Sequence, residues 1–283
     1  MGGVVLECDG VGAGDSSALR SSEKDCLSSA DASRIYIDCP DYKLLAAGDT
    51  ALVVEFGDSI DRHISATVLA LARRLNQIDL DGVIECVPTF RSLMVHYDPL
   101  VVDTSALSLR IGELMRGLHV REDVGRVWRL PACYDPSIAP DLDQVAGRTG
   151  LSAAQVVECH SATSYHVYML GFLPGMAYLG DVPGELVLPR LATPRLKVPA
   201  GSLGIATTMT CVYPMDTPAG WHLIGRCPVP FLERRAQPTV LLGAGDKVTF
   251  TPVSLREYEQ MSAQAAAGTL RIVPVEEPME VAA

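Results

Sequence analysis

Residues 171–226 carry GFLPGMAYLG (171–180), TPRLKVPAGSLGIA (193–206) and VYPMDTPAGWHLIGR (212–226). Glycines, prolines and aromatics recur every few residues. Helices do not tolerate that density, because proline lacks an N–H donor and glycine carries an entropic cost. The segment is therefore expected as short strands joined by tight turns, which need positive φ or a fixed φ.

The same reading extends on both sides. From Tyr165 onward, YHVYML, ELVLP, LGIATT, HLIG, TVLL and KVTFTPV read as short strands separated by turn residues. That spacing suggests a barrel or sandwich. Upstream, 141–161 holds two short helical segments split by Gly150, with Ser152 and Gln155 at capping-box spacing. They superficially resemble a helix-turn-helix. Arg148 is their only base, so they read as packing helices, since a recognition helix needs several cations.

Order begins near Lys43. LLAA, a Gly48-Asp49 turn and ALVVEF read as a β-hairpin. A helix follows, with Asp58 or Ser59 as cap and Ile60, Ile64, Val68, Leu71 and Leu75 on one face. VIECV and SLMVHY are strands flanking Pro88. A second helix carries Leu107, Ile111, Leu114 and Leu118, and VWRLP starts another strand. The order β-β-α-β-β-α-β suits a two-layer domain with helices on one face of a mostly antiparallel sheet. The expected class is α+β. The expected divisions are a flexible acidic extension over 1–42, an α/β domain over 43–125, a β-barrel domain over 126–255, and a helix with an acidic tail over 256–283.

Composition narrows the function classes. The net charge is −11 over 283 residues. Residues 1–42 hold eight acids and three bases, and 256–283 hold five acids and two bases, so the acidity sits mostly at the ends. No basic stripe exists to neutralise phosphates, which argues against nucleic acid as a partner. No run approaches 18 apolar residues, and no basic-then-apolar leader opens the chain, so neither a membrane nor a secretory signal is expected. The eight cysteines are scattered without a C-x-x-C pair, which points to reduced thiols in a cytoplasm and to no metal site.

These motifs resemble the family of the 5-oxoprolinase B subunit, also called allophanate hydrolase subunit 1 or KipI-type proteins. Its pattern is roughly GFxPGFxYL…TPRxxVPAGSVGIA…YPxxxPGGWxxIGRTP. The resemblance extends to GDTALVVEFG (48–57), ECVPTFRSLMVHYDP (85–99) and HSATSYHVYMLGF (160–172), and covers about Lys43 to Ser254. It implies that the barrel is cyclophilin-like, with no implication of prolyl isomerase activity. Two departures stand out. Met176-Ala177 replaces the usual Phe-Pro, and TTMTCVYP stands where GGQTGIYP is common, so Met209 replaces a Gln and Cys211 a Gly.

Candidate site residues follow from the motifs. His160, which the resemblance also carries, can move protons or donate to a carbonyl, or it can pack the helix end. Gly171, Phe172, Pro174 and Gly175 form a loop whose freed N–H groups can bind a carboxylate or carbonyl oxygen, or simply shape a tight turn. Arg195 can pair with a carboxylate of a ligand or of a partner, Lys197 is a weaker candidate for the same work, and either can be a solvated surface charge. Gly201 and Ser202 close the Pro199 turn, whose amides can face a ligand. Tyr213, Trp221 and Arg226 complete the block; Trp221 can stack on a ligand or partner, or plug the barrel end. Cys211 has no base placed beside it by any motif.

The resemblance implies the B subunit of an ATP-dependent 5-oxoprolinase, which opens the lactam of 5-oxoproline to glutamate together with a homologous C-type subunit and an A-type subunit. ATP would activate the amide oxygen by phosphorylation, with His160 and Arg195 in the catalytic roles. ATP is expected at the level of the complex only, since GAGDKV (243–248) lacks phosphate-loop spacing. Two alternatives share the scaffold. One is half of a biotin-dependent carboxyltransferase of the urea carboxylase type, although no Met-Lys-Met site is present. The other is a non-enzymatic inhibitor of a histidine kinase.

Overall fold

A computed structural model describes residues 40–120, 125–233 and 238–275. The expected acidic extension, up to residue 39, and the acidic tail from 276 lie outside them. The chain divides into two compact units at Glu122/Asp123.

The first unit is a two-layer α/β domain. β1 (Lys43–Ala46), β2 (Ala51–Glu55), β3 (Val83–Pro88) and β4 (Ser92–Tyr97) form an antiparallel sheet in the order β1-β2-β4-β3. Strand alternation puts Leu52, Val54, Leu93, Val95 and Tyr97 on one face, where α1 (Arg62–Ile78) and α2 (Thr104–Met115) cover them. α1 starts later than the sequence suggests. Asp61 is the cap, because its carboxylate accepts from the N–H groups of His63 (2.8 Å) and Ile64 (3.1 Å). Ile60 therefore lies before the helix and is exposed, and Leu118 lies beyond the end of α2.

The second unit is the barrel. Its main strands are β5 (Val127–Ala132), β6 (Tyr165–Leu170), β7 (Ala177–Gly180), β9 (Ser202–Ala206), β10 (Met209–Val212), β12 (His222–Arg226) and β13 (Lys247–Pro252). They form a 7-stranded sheet in the order β12-β9-β10-β7-β6-β13-β5. The two end strands meet at one bridge, where Cys133 and Arg226 exchange N–H···O bonds of 2.8 Å each. This bridge nearly closes the barrel. A short ribbon of β8 (Arg195–Val198) and β11 (Thr217–Ala219) stands apart from the main sheet. Helices α3 (Leu142–Thr149) and α4 (Ala153–Ala162) pack together and bury Val145 and Val156 in the barrel core. The Ser152–Gln155 capping box is formed. α5 (Leu255–Ala266) follows β13.

Three strand expectations differ from the structure. VWRLP, which the element order attaches to the first sheet but the division at 125/126 gives to the barrel, belongs to the barrel. As β5 it pairs in parallel with β13 from Val127↔Lys247 to Ala132↔Pro252, a non-local contact that local patterning cannot show. ELVLP is a 3-10 turn at Gly184–Leu186 followed by one bridge from Leu188 to Thr207. TVLL contributes one bridge, Val240 to Leu232.

Candidate functional site

The barrel sheet separates the sequence-predicted residues onto two faces. Along β9 and β10, Leu203, Ile205, Thr210 and Val212 alternate with Gly204, Met209 and Cys211. The first set faces the barrel core. The second faces outward, where Tyr213 and the Trp221 Cβ lie close to Gly204.

His160 belongs to the inner set. It lies at the end of α4 and is fully buried. Its Nδ1 lies 2.8 Å from the Tyr134 hydroxyl and its Nε2 3.0 Å from Thr210 Oγ1. Thr210 donates its one hydroxyl proton to the Gly204 carbonyl at 3.0 Å. Nε2 must therefore carry the imidazole proton and donate to Thr210, while Nδ1 accepts from Tyr134. The ring stacks on Phe250 at 5.0 Å. Burial pulls its pKa down to about 3, so the imidazole is neutral at neutral pH with both nitrogens engaged.

The glycine loops are shaped by close approaches. A Cβ on Gly171 would lie 2.6 Å from the Tyr178 ring, and Gly175, with φ +81°, has the Phe231 carbonyl 2.9 Å from its Cβ position. The Gly171 N–H donates to Met176 O at 2.7 Å, so it is not free for a ligand. Phe172 stands exposed beside Pro174. In the second turn, Ala200 N donates to Asp216, Gly201 N to Tyr213 O and Ser202 N to Pro199 O. The amides of that turn are thus taken by the chain itself. Arg226 contributes the backbone bridge that closes the barrel.

The outer set gathers around Trp221. Tyr178 meets it edge-to-face, with centroids 5.8 Å apart. Arg195 Nη1 is 3.5 Å from the Trp221 carbonyl, while Nη2 pairs with Asp141 at 2.5 Å. Asp141 is buried, and its other oxygen accepts from Leu223 N at 2.6 Å. Arg195 is thus already neutralised by a carboxylate of the chain. Lys197 is paired too, with Asp216 at 2.8 Å in solvent. Tyr213 is buried, and so are Met176 and Met209, which occupy the departures from the motif. Burial raises the Cys211 thiol far above its ordinary range, the opposite of what a nucleophile needs.

Three residues of this region escape a reading of the sequence. Asp141 is hidden because its partner is 54 positions away. Tyr178 and Arg190 lie in or beside the quoted motifs, but only the fold brings them to Trp221. Arg190 lies over the Trp221 ring, 5.8 Å from its centroid. An open depression of about 420 Å³ on the first unit, lined by Thr50, Ile84, Glu85, His96, Tyr97, Asp98 and Pro99, contains none of the expected site residues. Among the described residues no helix is long and apolar enough to cross a membrane.

Comparison with known proteins gives this arrangement a family. Residues 42–242 match the family described as carboxyltransferase domain, subdomain C and D. The chain is 36% identical over 228 residues to the 5-oxoprolinase B subunit of Bacillus subtilis (strain 168), covering 77% of this chain and 95% of that protein. It is 38% identical over 208 residues to the 5-oxoprolinase B subunit of Escherichia coli O157:H7, covering 72% and 93%. The solved urea amidolyase of K. lactis superposes with a TM-score of 0.69 at 19% identity over 86% of this chain and 17% of that one, which shows a shared fold. The chain therefore belongs to the carboxyltransferase subdomain C and D family, together with the 5-oxoprolinase B subunits.

Proposed function

We propose that this protein is the B subunit of an ATP-dependent 5-oxoprolinase, hydrolysing the lactam of 5-oxoproline to glutamate with a homologous C-type subunit and an A-type subunit. The observation that carries the reading is 36% identity spanning 95% of the B. subtilis B subunit. In this reading the outer face around Trp221 meets the lactam, and the partner completes the cleft. Arg195 acts as a positioning residue, holding the Trp221 carbonyl through its bond to Asp141. His160 positions the β9–β10 pair from inside through Thr210 and Gly204, and moves no proton. ATP is supplied elsewhere in the complex. The Gly243–Asp246 loop does not fit a phosphate, since its Gly243 N–H already donates to the Asp246 carboxylate at 2.9 Å.

The test is to purify the chain alone and with the products of its neighbouring genes, then measure 5-oxoproline-dependent phosphate release from ATP. Activity is expected only in the presence of partners. Full activity from the isolated chain would overturn the partner requirement. Biotin-dependent carboxyl transfer to a urea-type acceptor, with no response to 5-oxoproline, would replace the reading by the carboxyltransferase alternative.

A further inference from the structure

The cations on the outer face of the barrel differ in whether they are already used. Arg195 is held by Asp141 and Lys197 by Asp216. Arg190 has no carboxylate partner among the described residues; its guanidinium lies over the Trp221 ring. At 5.8 Å that contact is near the outer limit for a cation over an aromatic face, about 6 Å, so the ring does not satisfy the charge. The guanidinium is nonetheless well placed. Leu188 O accepts from Thr207 N at 2.6 Å, Pro189 O lies 3.0 Å from His222 Nε2, and Leu191 N donates to Gly220 O at 2.8 Å. The backbone is therefore pinned on both sides of an exposed side chain. The charge also reaches its neighbours: burial raises the pKa of Tyr178, Tyr213 and Cys211, and Arg190 partly opposes that rise at each of them.

We infer that Arg190, backed by Trp221 and flanked by Tyr178, is the residue that recognises the carboxylate of the substrate. A planar guanidinium presents paired N–H donors to a carboxylate, and a fixed backbone lowers the entropy lost on pairing. Tyr178, half-buried, offers an aromatic edge beside it, suited to a small flat ring that carries that carboxylate, while the buried Trp221 backs the guanidinium from below. Tyr178, Tyr213 and Cys211 are held neutral by burial, so they offer no competing anion. This inference rests on the lactam reading above for the identity of the ring, and on the structure of this chain for the cation.

The test uses the full chain, ¹⁵N-labelled, and follows the indole N–H signals of its two tryptophans. The probes are 5-oxoproline and its neutral carboxamide. The expected result is a saturable shift of the Trp221 signal by 5-oxoproline, little response at Trp128, and no saturation by the carboxamide. Arg190→Gln is expected to weaken 5-oxoproline about tenfold or more, and Arg190→Lys by less. An unchanged Trp128 signal in the variants verifies the fold. Equal binding of 5-oxoproline by Arg190→Gln and the parent chain overturns the assignment while leaving the lactam reading intact. An Arg190-dependent shift with allophanate but none with 5-oxoproline supports Arg190 as the anion site and overturns the lactam reading. No saturable shift with any of these carboxylates, for the chain alone or with its partner subunits, overturns the inference outright.

Discussion

Arg126 lies over Trp128 with its guanidinium carbon 4.9 Å from the ring, and Arg190 lies over Trp221 at 5.8 Å. The two pairs share their chemistry and differ in their company. Arg126 meets the buried carboxylate of Asp246, which also accepts from the Trp128 indole N–H at 2.8 Å and from Gly243 N at 2.9 Å. Every charge in that group is answered inside the fold, and its effect is to tie β5 to the turn before β13. Arg190 meets no carboxylate among the described residues. The same residue pair is thus a clasp in one place and an unanswered cation in the other, and the main difference is the third group, the carboxylate, helped by the Leu241 carbonyl that accepts from Arg126 at 3.0 Å.

The strongest way to break the comparison is to remove that third group. Asp246→Ala leaves Arg126 without its counter-ion and the buried Trp128 N–H without an acceptor. A loss of about 3–5 kcal/mol is expected, toward the lower end because the Arg126 side chain can turn to water. Urea unfolding followed by far-ultraviolet circular dichroism reads it directly. A loss below about 1 kcal/mol would put Arg126 among screened surface cations and erase the contrast.

Asp141→Asn tests the same logic at Arg195. The amide can still accept from Leu223 N, but the charge that faces Arg195 is gone. A loss of about 2 kcal/mol in the same assay is expected, because charge-assisted bonds to a buried group are among the stronger ones. A variant as stable as the parent would mean that Arg195 is as open as Arg190.

How much of this can be read from the sequence follows from the range of each interaction. The α1 and α2 stripes, the first hairpin and the Ser152 capping box depend on residues within a few positions, and they are legible. The glycines of the motif are legible as turns, though not the contacts that require them, such as Gly201 with φ +79° and its Cβ position 2.7 Å from Cys227 O. The element order attaches β5 to the first sheet while the division at 125/126 gives it to the barrel, and only its partner β13, far along the chain, decides between them. The candidate site follows the same rule. Trp221 and Arg195 stand out by composition, but whether Arg195 is free depends on Asp141. Arg190 reads as an ordinary surface charge until the fold places Trp221 under it.

His160 extends the comparison to a group answered within the core by neutral partners. Its folded pKa of about 3 lies below the roughly 6.5 of an unfolded histidine. Between those values the unfolded chain binds the extra proton, so stability is full above the unfolded pKa and falls as pH drops below it. The slope is about 1.4 kcal/mol per pH unit, or roughly 2 kcal/mol between pH 6.5 and 5. Urea midpoints across that range should decline accordingly, and the decline should flatten in His160→Gln. An imidazole seen by NMR to titrate near pH 6.5 would put His160 in contact with water and return it to the list of proton carriers.

The smallest effect is the most telling. Arg190→Gln should change stability by no more than about 0.5 kcal/mol, because an exposed cation at the outer edge of an aromatic face contributes little to the folded state. Arg126→Gln, made in parallel, should cost several times more, since it leaves the buried Asp246 carboxylate without its cation. The pair of substitutions removes the same group from the same kind of ring, so the difference between them reports mainly the carboxylate, together with the bond from Arg126 to Leu241 O. If both cost the same, Arg190 packs the barrel as Arg126 does, and its open charge has no separate purpose. If Arg190→Gln costs nothing in stability but weakens 5-oxoproline, the charge is held in readiness for a group from outside the chain.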